Sequence, residues 1–288
     1  MRNKLSLLAF IGPSIFMLIL LRLFPVLYTF FLSFQSWSLI QGLPPRFIGF
    51  ENYFRIFNDY KFWESLSTTV KFTFLVVPVE FIIGFGIALL LNHINKLRNF
   101  LTSIIIMPMM IIPVVVGVLW RMIFQQEVGV LNYLLNLIGI NAVNWLGEQH
   151  IALTSIGIVD IWQWTPFMIL ILLAGLQTLP GELYEAASIE GANTWQTFRF
   201  ITIPLIRPIF LVALIMRSMD AIRIFDTIFV LTEGGPGNAT DVLSIMTFRS
   251  GFRYFDMGYT AALTIIFLLL ILCISLPYIL LRKVKEGE

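Results

Sequence analysis

Two polar patterns interrupt otherwise apolar sequence, and both repeat one helical spacing. Asp160, Gln163, Trp164 and Phe167 stand at i, i+3, i+4 and i+7, and Arg217, Asp220, Ala221 and Ile224 repeat those intervals. On a helix each set shares one face. Carboxylates, an amide and a guanidinium supply hydrogen bonds, and aromatic rings supply flat stacking surfaces. The two faces therefore suit a polyhydroxylated ligand such as a sugar. A second reading is internal: polar side chains holding helices together inside a bilayer. In either case groups that ionise at membrane depth must face protein or an aqueous cavity, at about 2.5–3.5 kcal/mol each on insertion scales. Arg223 and Asp226 lie off the Arg217 face, three residues apart, and read as a structural ion pair. Arg22 and Glu80, lone charges in other apolar runs, read as structural partners.

Between the two faces lies the polar segment 181–208, GELYEAASIEGANTWQTFRFITIPLIRP. It places Glu182, Glu185 and Glu190 around Ala186, Ala187 and Gly191, and it ends in Pro204 and Pro208. Residues 182–188 favour a helix after Pro180-Gly181, with acidic residues near its start to suit the helix dipole. Gly191 permits a sharp reversal, and a second helical stretch is expected from Thr194 to Phe200. Helix, glycine turn and helix make a compact knob whose small alanines let a partner approach closely. The plain alternative is a connecting loop with solvated glutamates.

These residues are positioned by a chain that is 58% hydrophobic and 12% charged, with mean hydropathy +0.87. A soluble chain carries roughly twice that charge. Six apolar runs reach the roughly 20 residues that cross a bilayer as a helix: about 8–33, 68–92, 101–123, 151–178, 208–231 and 259–281. They lack the alternation of a membrane barrel, so the expected fold is an all-α integral membrane protein with six transmembrane helices. The first run outlasts a signal peptide's apolar core and is read as a retained span, interrupted at Arg22 and Pro25. Pro108 and Pro113 should kink the third.

An even number of spans puts both ends on one side. That side would carry Arg2, Lys4, Lys96, Arg98, Arg199, Arg207, Arg282, Lys283 and Lys285, against Arg46, Arg55, Lys61, Arg249 and Arg253 opposite. The excess of basic residues places both termini and the 181–208 loop in the cytoplasm. The organisation expected is a first span with an aromatic-rich external loop (1–67), a core of five spans (68–281) and a short charged tail (282–288). The external loop, with Gly42, Pro44, Pro45 and Gly49 as turn residues, should lie at the water–lipid boundary. Short helices are expected near Leu131–Ile138 and from Thr240 to Phe252. Cys273 is the only cysteine, so no internal disulfide forms.

Glu185-Ala186-Ala187, then Gly191, then Ile201-Thr202-Ile203-Pro204, closely resembles the EAA loop of permease subunits in binding-protein-dependent ABC importers. Ile203 stands where that pattern usually has Leu. Trp145-Leu146, Leu173-Ala174-Gly175-Leu176-Gln177, Phe225-Asp226, Leu231-Thr232-Glu233-Gly234-Gly235-Pro236 and Gly258-Tyr259-Thr260-Ala261-Ala262 look like the maltose-type carbohydrate-uptake branch, and within it the first of two permease subunits. Residues 47–53, FIGFENY, resemble the loop after the first span of sugar-type permeases.

The resemblance implies that the knob docks in a cleft of a separate ATP-binding subunit, with Glu185, Ala186, Ala187, Gly191, Ile201 and Pro204 forming the coupling element. It implies four kinds of partner: a second homologous permease, an ATPase dimer that uses ATP and Mg, an extracytoplasmic solute-binding protein, and a sugar substrate. The membrane would be the bacterial or archaeal inner membrane.

No phosphate loop of the G-x-x-x-x-G-K-[ST] type is present, so this chain should bind no ATP and no other cofactor itself. His93 and His150 are far apart with no Cys/His cluster, so no metal site follows. Scattered basic residues give nucleic-acid binding no support. Two rivals stay open: an ion-coupled carrier with Asp160 or Asp220 as proton site, and a non-catalytic membrane assembly factor or intramembrane enzyme.

Overall fold

Apolar runs that cross hydrocarbon must close their backbone hydrogen bonds internally, and this chain does so with helices. The computed structural model describes residues 11–94 and 96–286, the side chains of 275 and 277–286 excepted. From the N-terminal side, α1 (Ile11–Leu32) leads to a two-stranded antiparallel ribbon, β1 (Gln35–Ser36) with β2 (Arg46–Phe47). Then come α2 (Glu51–Asn58), α3 (Tyr60–His93), α4 (Arg98–Met110) and α5 (Pro113–Ile123). The short α6 (Val130–Leu137) precedes the long α7 (Gln149–Gln177), which ends at the polar segment holding α8 (Gly181–Ile189) and α9 (Thr194–Thr197). A π turn (Phe198–Thr202) opens directly into α10 (Ile203–Ile222), followed by α11 (Asp226–Leu231), α12 (Leu243–Phe252) and α13 (Met257–Glu286). Among the described residues five helices are long and apolar enough to cross a membrane, and six if the bent pair α4–α5 is one span.

Four local expectations change. The third span is not kinked but broken, with α4 and α5 at 89°. Pro113 forces Ile112 out of the helical region, to ψ 131, and Ile111 is extended too. The fifth span, expected at 208–231, starts at Ile203, stops at Ile222 and resumes as α11 after Arg223–Phe225. The second span, α3, begins at Tyr60, so part of the expected external loop is helical. Finally, α1 is not interrupted at Pro25. A π turn, Ile19–Leu23, widens the backbone there, and the same device precedes Pro204. A proline lacks an N–H and crowds the carbonyl four residues back, and the widened turn relieves both. The expected all-α chain also carries the small β ribbon.

The described residues form two compact units, residues 11–64 with 246–270, and residues 65–245 with 271–286. In the first, buried Asn52 donates to the carbonyls of Ser33 and Gln35 at 3.0 and 2.9 Å. Asp256 takes Arg55 at 3.2 Å, and Tyr259 donates to Asp59 at 3.2 Å. Phe47, Phe50, Phe54, Phe57, Tyr60 and Trp63 remain exposed.

The second unit holds the core in which Phe72, Val76, Ile156, Val159, Met168, Leu172, Ile206 and Ala213 are buried. Two glycines set its helix spacing. A Cβ on Gly84 of α3 would stand 2.7 Å from the Met168 Cβ of α7, and one on Gly175 of α7 would stand 2.6 Å from the Ile209 side chain of α10. Small residues at such points let membrane helices approach closely. The buried amide of Asn132 organises the segment after α5: it donates to Val143 O at 2.9 Å, and its oxygen accepts from Trp145 Nε1 at 2.9 Å.

Candidate functional site

The polar segment 181–208 is built from two matched helix ends. Ala192 N–H donates to Ala187 O at 2.9 Å and Gly191 N–H to Ser188 O at 3.2 Å, the paired bonds of a Schellman stop. Gly191 takes φ +77°, a left-handed conformation that costs a side-chain-bearing residue and not glycine. Asn193 then starts α9 with a reciprocal cap: Gln196 N–H donates to Asn193 Oδ1 at 2.9 Å, and Asn193 N–H to Gln196 Oε1 at 2.8 Å. The reversal is thus fixed by its own backbone. The Tyr184 and Thr202 hydroxyls, 3.1 Å apart, tie α8 to the π turn, and Ala187 is buried beneath.

The outer face of this knob is exposed. Glu182, Leu183, Glu185, Ala186 and Gly191 all face out, with Ile189 88% exposed and Trp195 64%. Isoleucine and tryptophan left bare among carboxylates are the makings of a protein-docking face. Ile201 lies half-buried in the π turn, and Pro204 is exposed near the start of α10. Between the knob and the ends of α3 and α7 is a cavity of about 700 Å³, lined in part by Asn92, Arg98, Gln177, Tyr184 and Ser188.

The two polar faces do meet. Asp160 and Trp164 of α7, with Arg217, Asp220 and Ile224 near α10, line one cleft of about 380 Å³ together with Pro113, Arg223, Phe225, Asp226 and Thr227. Arg217 lies at its base, 1% exposed, donating to Glu80 through Nε at 2.5 Å and Nη2 at 2.9 Å. Its Nη2 also contacts Asp160 Oδ2 in a short ion pair. The Arg217 guanidinium carbon stands 5.6 Å from the Trp164 ring centroid, close enough for the ring face to favour the cation.

Several expectations for these faces need correction. Gln163 does not point along the cleft. It is fully buried and donates to Ile111 O at 3.0 Å, a carbonyl released by the break between α4 and α5. Ala221 is fully buried and Phe167 does not line the cleft. Arg217 and Asp160 touch the cleft, but their charges are already engaged with each other and Glu80. The pair expected between Arg223 and Asp226 is absent. Because α10 stops at Ile222, Asp226 opens a new helix, and Arg223 reaches back instead to Asp220 and to Met219 O. Sequence reasoning marked Glu80 as a lone charge but could not name its partner, 137 positions away.

A family model described as "Binding-protein-dependent transport system inner membrane component" matches residues 80–284. The trehalose/maltose transport system permease protein MalF of Thermococcus litoralis is 38% identical over 276 residues, covering 96% of this chain and 92% of that protein. The sulfoquinovosyl glycerol transport system permease protein SmoG of Agrobacterium fabrum is 35% identical over 284 residues, covering 99% and 92%. In fold, the chain is similar to one chain of a bacterial ABC transporter that imports the acidic polysaccharide alginate, with TM-score 0.85, 24% identity, and coverage of 98% of this chain and 96% of that one.

Proposed function

The chain belongs to the binding-protein-dependent transport system inner membrane components, and from that membership we propose that it forms half the membrane pathway of an ATP-driven sugar importer. One observation carries the proposal furthest: α7 and α10, which both line the cleft, are the two helices joined by the knob. Whatever moves the knob acts on the cleft through those helices.

The outer face of α8, centred on Glu185 and Ala186, docks on an ATPase subunit that binds ATP and Mg. Gly191 holds that face in register. A second permease completes the pathway, and an extracytoplasmic binding protein delivers the sugar. The charge bias of the loops supports a cytoplasmic knob and cytoplasmic termini. Closure of the ATPase dimer pushes the knob and opens the cleft outward, and resetting exposes the sugar to the cytoplasm. Within the cleft, the Trp164 and Phe225 rings and the Asp220 and Asp226 carboxylates suit stacking on, and hydrogen bonding to, a sugar. An ion-coupled carrier finds less support, because Asp160 and Asp220 each already hold a guanidinium.

The test is uptake of labelled sugar into vesicles holding this chain, the second permease and the ATPase, with binding protein outside. Uptake should require every component and internal ATP. Uptake that continues after omission of the ATPase would refute the proposal.

A further inference from the structure

Three helices meet at the buried charges: α3 through Glu80, α7 through Asp160 and α10 through Arg217. All three side chains are almost wholly buried, at 0%, 3% and 2% exposure. A second series of contacts on two of these helices starts at the knob. Phe198 of the π turn stacks on Phe85 of α3, with centroids 6.1 Å apart. Phe85 meets Phe210 of α10 edge-on at 4.8 Å, and Phe81 meets the same ring at 5.0 Å. Phe81 adjoins Glu80 in sequence, and Phe210 lies about two helical turns before Arg217 on the same face. Ring contacts therefore run from the knob to Phe81 and Phe210, and the backbones of α3 and α10 continue from there to the charges at the base of the cleft.

Apolar and aromatic contacts resist separation but not sliding. A forked guanidinium held by two carboxylates resists both, because sliding takes its paired hydrogen bonds out of line and leaves a buried charge poorly paired. α7 meets this contact series at the Arg217–Asp160 pair. We propose that Glu80, Arg217 and Asp160 are positioning residues, a clamp that makes α3, α7 and α10 move as one body so that displacement of the knob reaches the cleft. The proposal rests on the ATP-driven reading above. It assigns the three charges to transmission rather than to sugar binding.

The test measures sugar delivered per ATP hydrolysed by the complete transporter in vesicles. E80Q/D160N/R217M removes all three charges with little change in side-chain volume and strands none of them, so the complex should assemble. Expected is ATP hydrolysis that still responds to the binding protein, while sugar per ATP falls about 5-fold or more, the scale of ordinary coupling between sites. E80R/R217E, which keeps one guanidinium and two carboxylates at the same junction, should restore the ratio. A wild-type ratio in the triple variant overturns the clamp alone. Failure of both variants to assemble also overturns it, since the charges would then serve folding only. Wild-type vesicles that moved sugar without ATP would overturn the reading beneath it as well.

Discussion

Arg217 donates to Glu80 through both Nε and Nη2, at 2.5 and 2.9 Å, across 137 positions of sequence. Removing the guanidinium alone leaves two carboxylates buried without a counter-charge, which should cost about 3–5 kcal/mol. R217M should therefore unfold at a lower temperature than E80Q/D160N/R217M, although the triple variant has lost more interactions. Thermal unfolding of the purified complex followed by tryptophan fluorescence decides the order. A triple variant less stable than R217M would contradict the pairing.

Gly191 has nothing within 4 Å of where a Cβ would stand, so substitution there acts through the backbone alone. At φ +77° a β-branched residue is strained, and the left-handed conformation costs roughly 1–2 kcal/mol even for ordinary residues. G191V should loosen the knob and reduce the ATPase that co-purifies with the complex, whereas G191N, which tolerates that conformation, should retain most of it. Equal retention by both variants would remove the Schellman turn from the account.

Asn193 tests the same element from its other side. N193A deletes one half of the reciprocal cap and should cost about 1 kcal/mol. Hydrogen exchange across 181–208 should quicken while the unfolding temperature of the whole complex stays in place. Unchanged exchange would mean that the cap adds nothing in the assembled protein.

In the cleft, Asp220 and Arg223 are 43% and 51% exposed, and such a pair contributes about 0–1 kcal/mol. D220N should leave thermal stability nearly unmoved yet change the sugar concentration at half-maximal uptake. W164A should raise that concentration roughly 3- to 10-fold, the worth of one aromatic stacking surface. Destabilisation without a transport effect would assign both residues to helix packing.

How much was legible in the sequence differs by element. The knob was legible in outline, because its determinants are local: Gly191 was read as the stop of α8, whereas the Asn193 cap that starts α9 and the π turn that follows at Phe198 were not. The spans were legible by length and hydropathy, but their ends were not. Hydropathy does not register the π turns that absorb Pro25 and Pro204, nor the extended Ile112 that separates α4 from α5. At the cleft, helical spacing put Asp160 and Arg217 on plausible faces but could not reveal that they face each other. It also could not show that Gln163 answers a carbonyl freed 52 residues earlier. The same spacing suggested Arg223 with Asp226 and failed because the helix it assumed ends at Ile222, before both, and a new one starts at Asp226.

If the exposed face of α8 transmits ATP-driven work to the cleft, charge reversal at its centre must part ATP hydrolysis from sugar uptake. Both can be measured together in vesicles containing wild-type or E185K permease. Glu185 is exposed, so charge reversal there should leave the fold intact. Wild-type vesicles should show binding-protein-dependent uptake, and E185K should lose uptake with ATP hydrolysis weakened or no longer tied to sugar. Normal uptake and normal sugar per ATP in E185K would contradict transmission through α8.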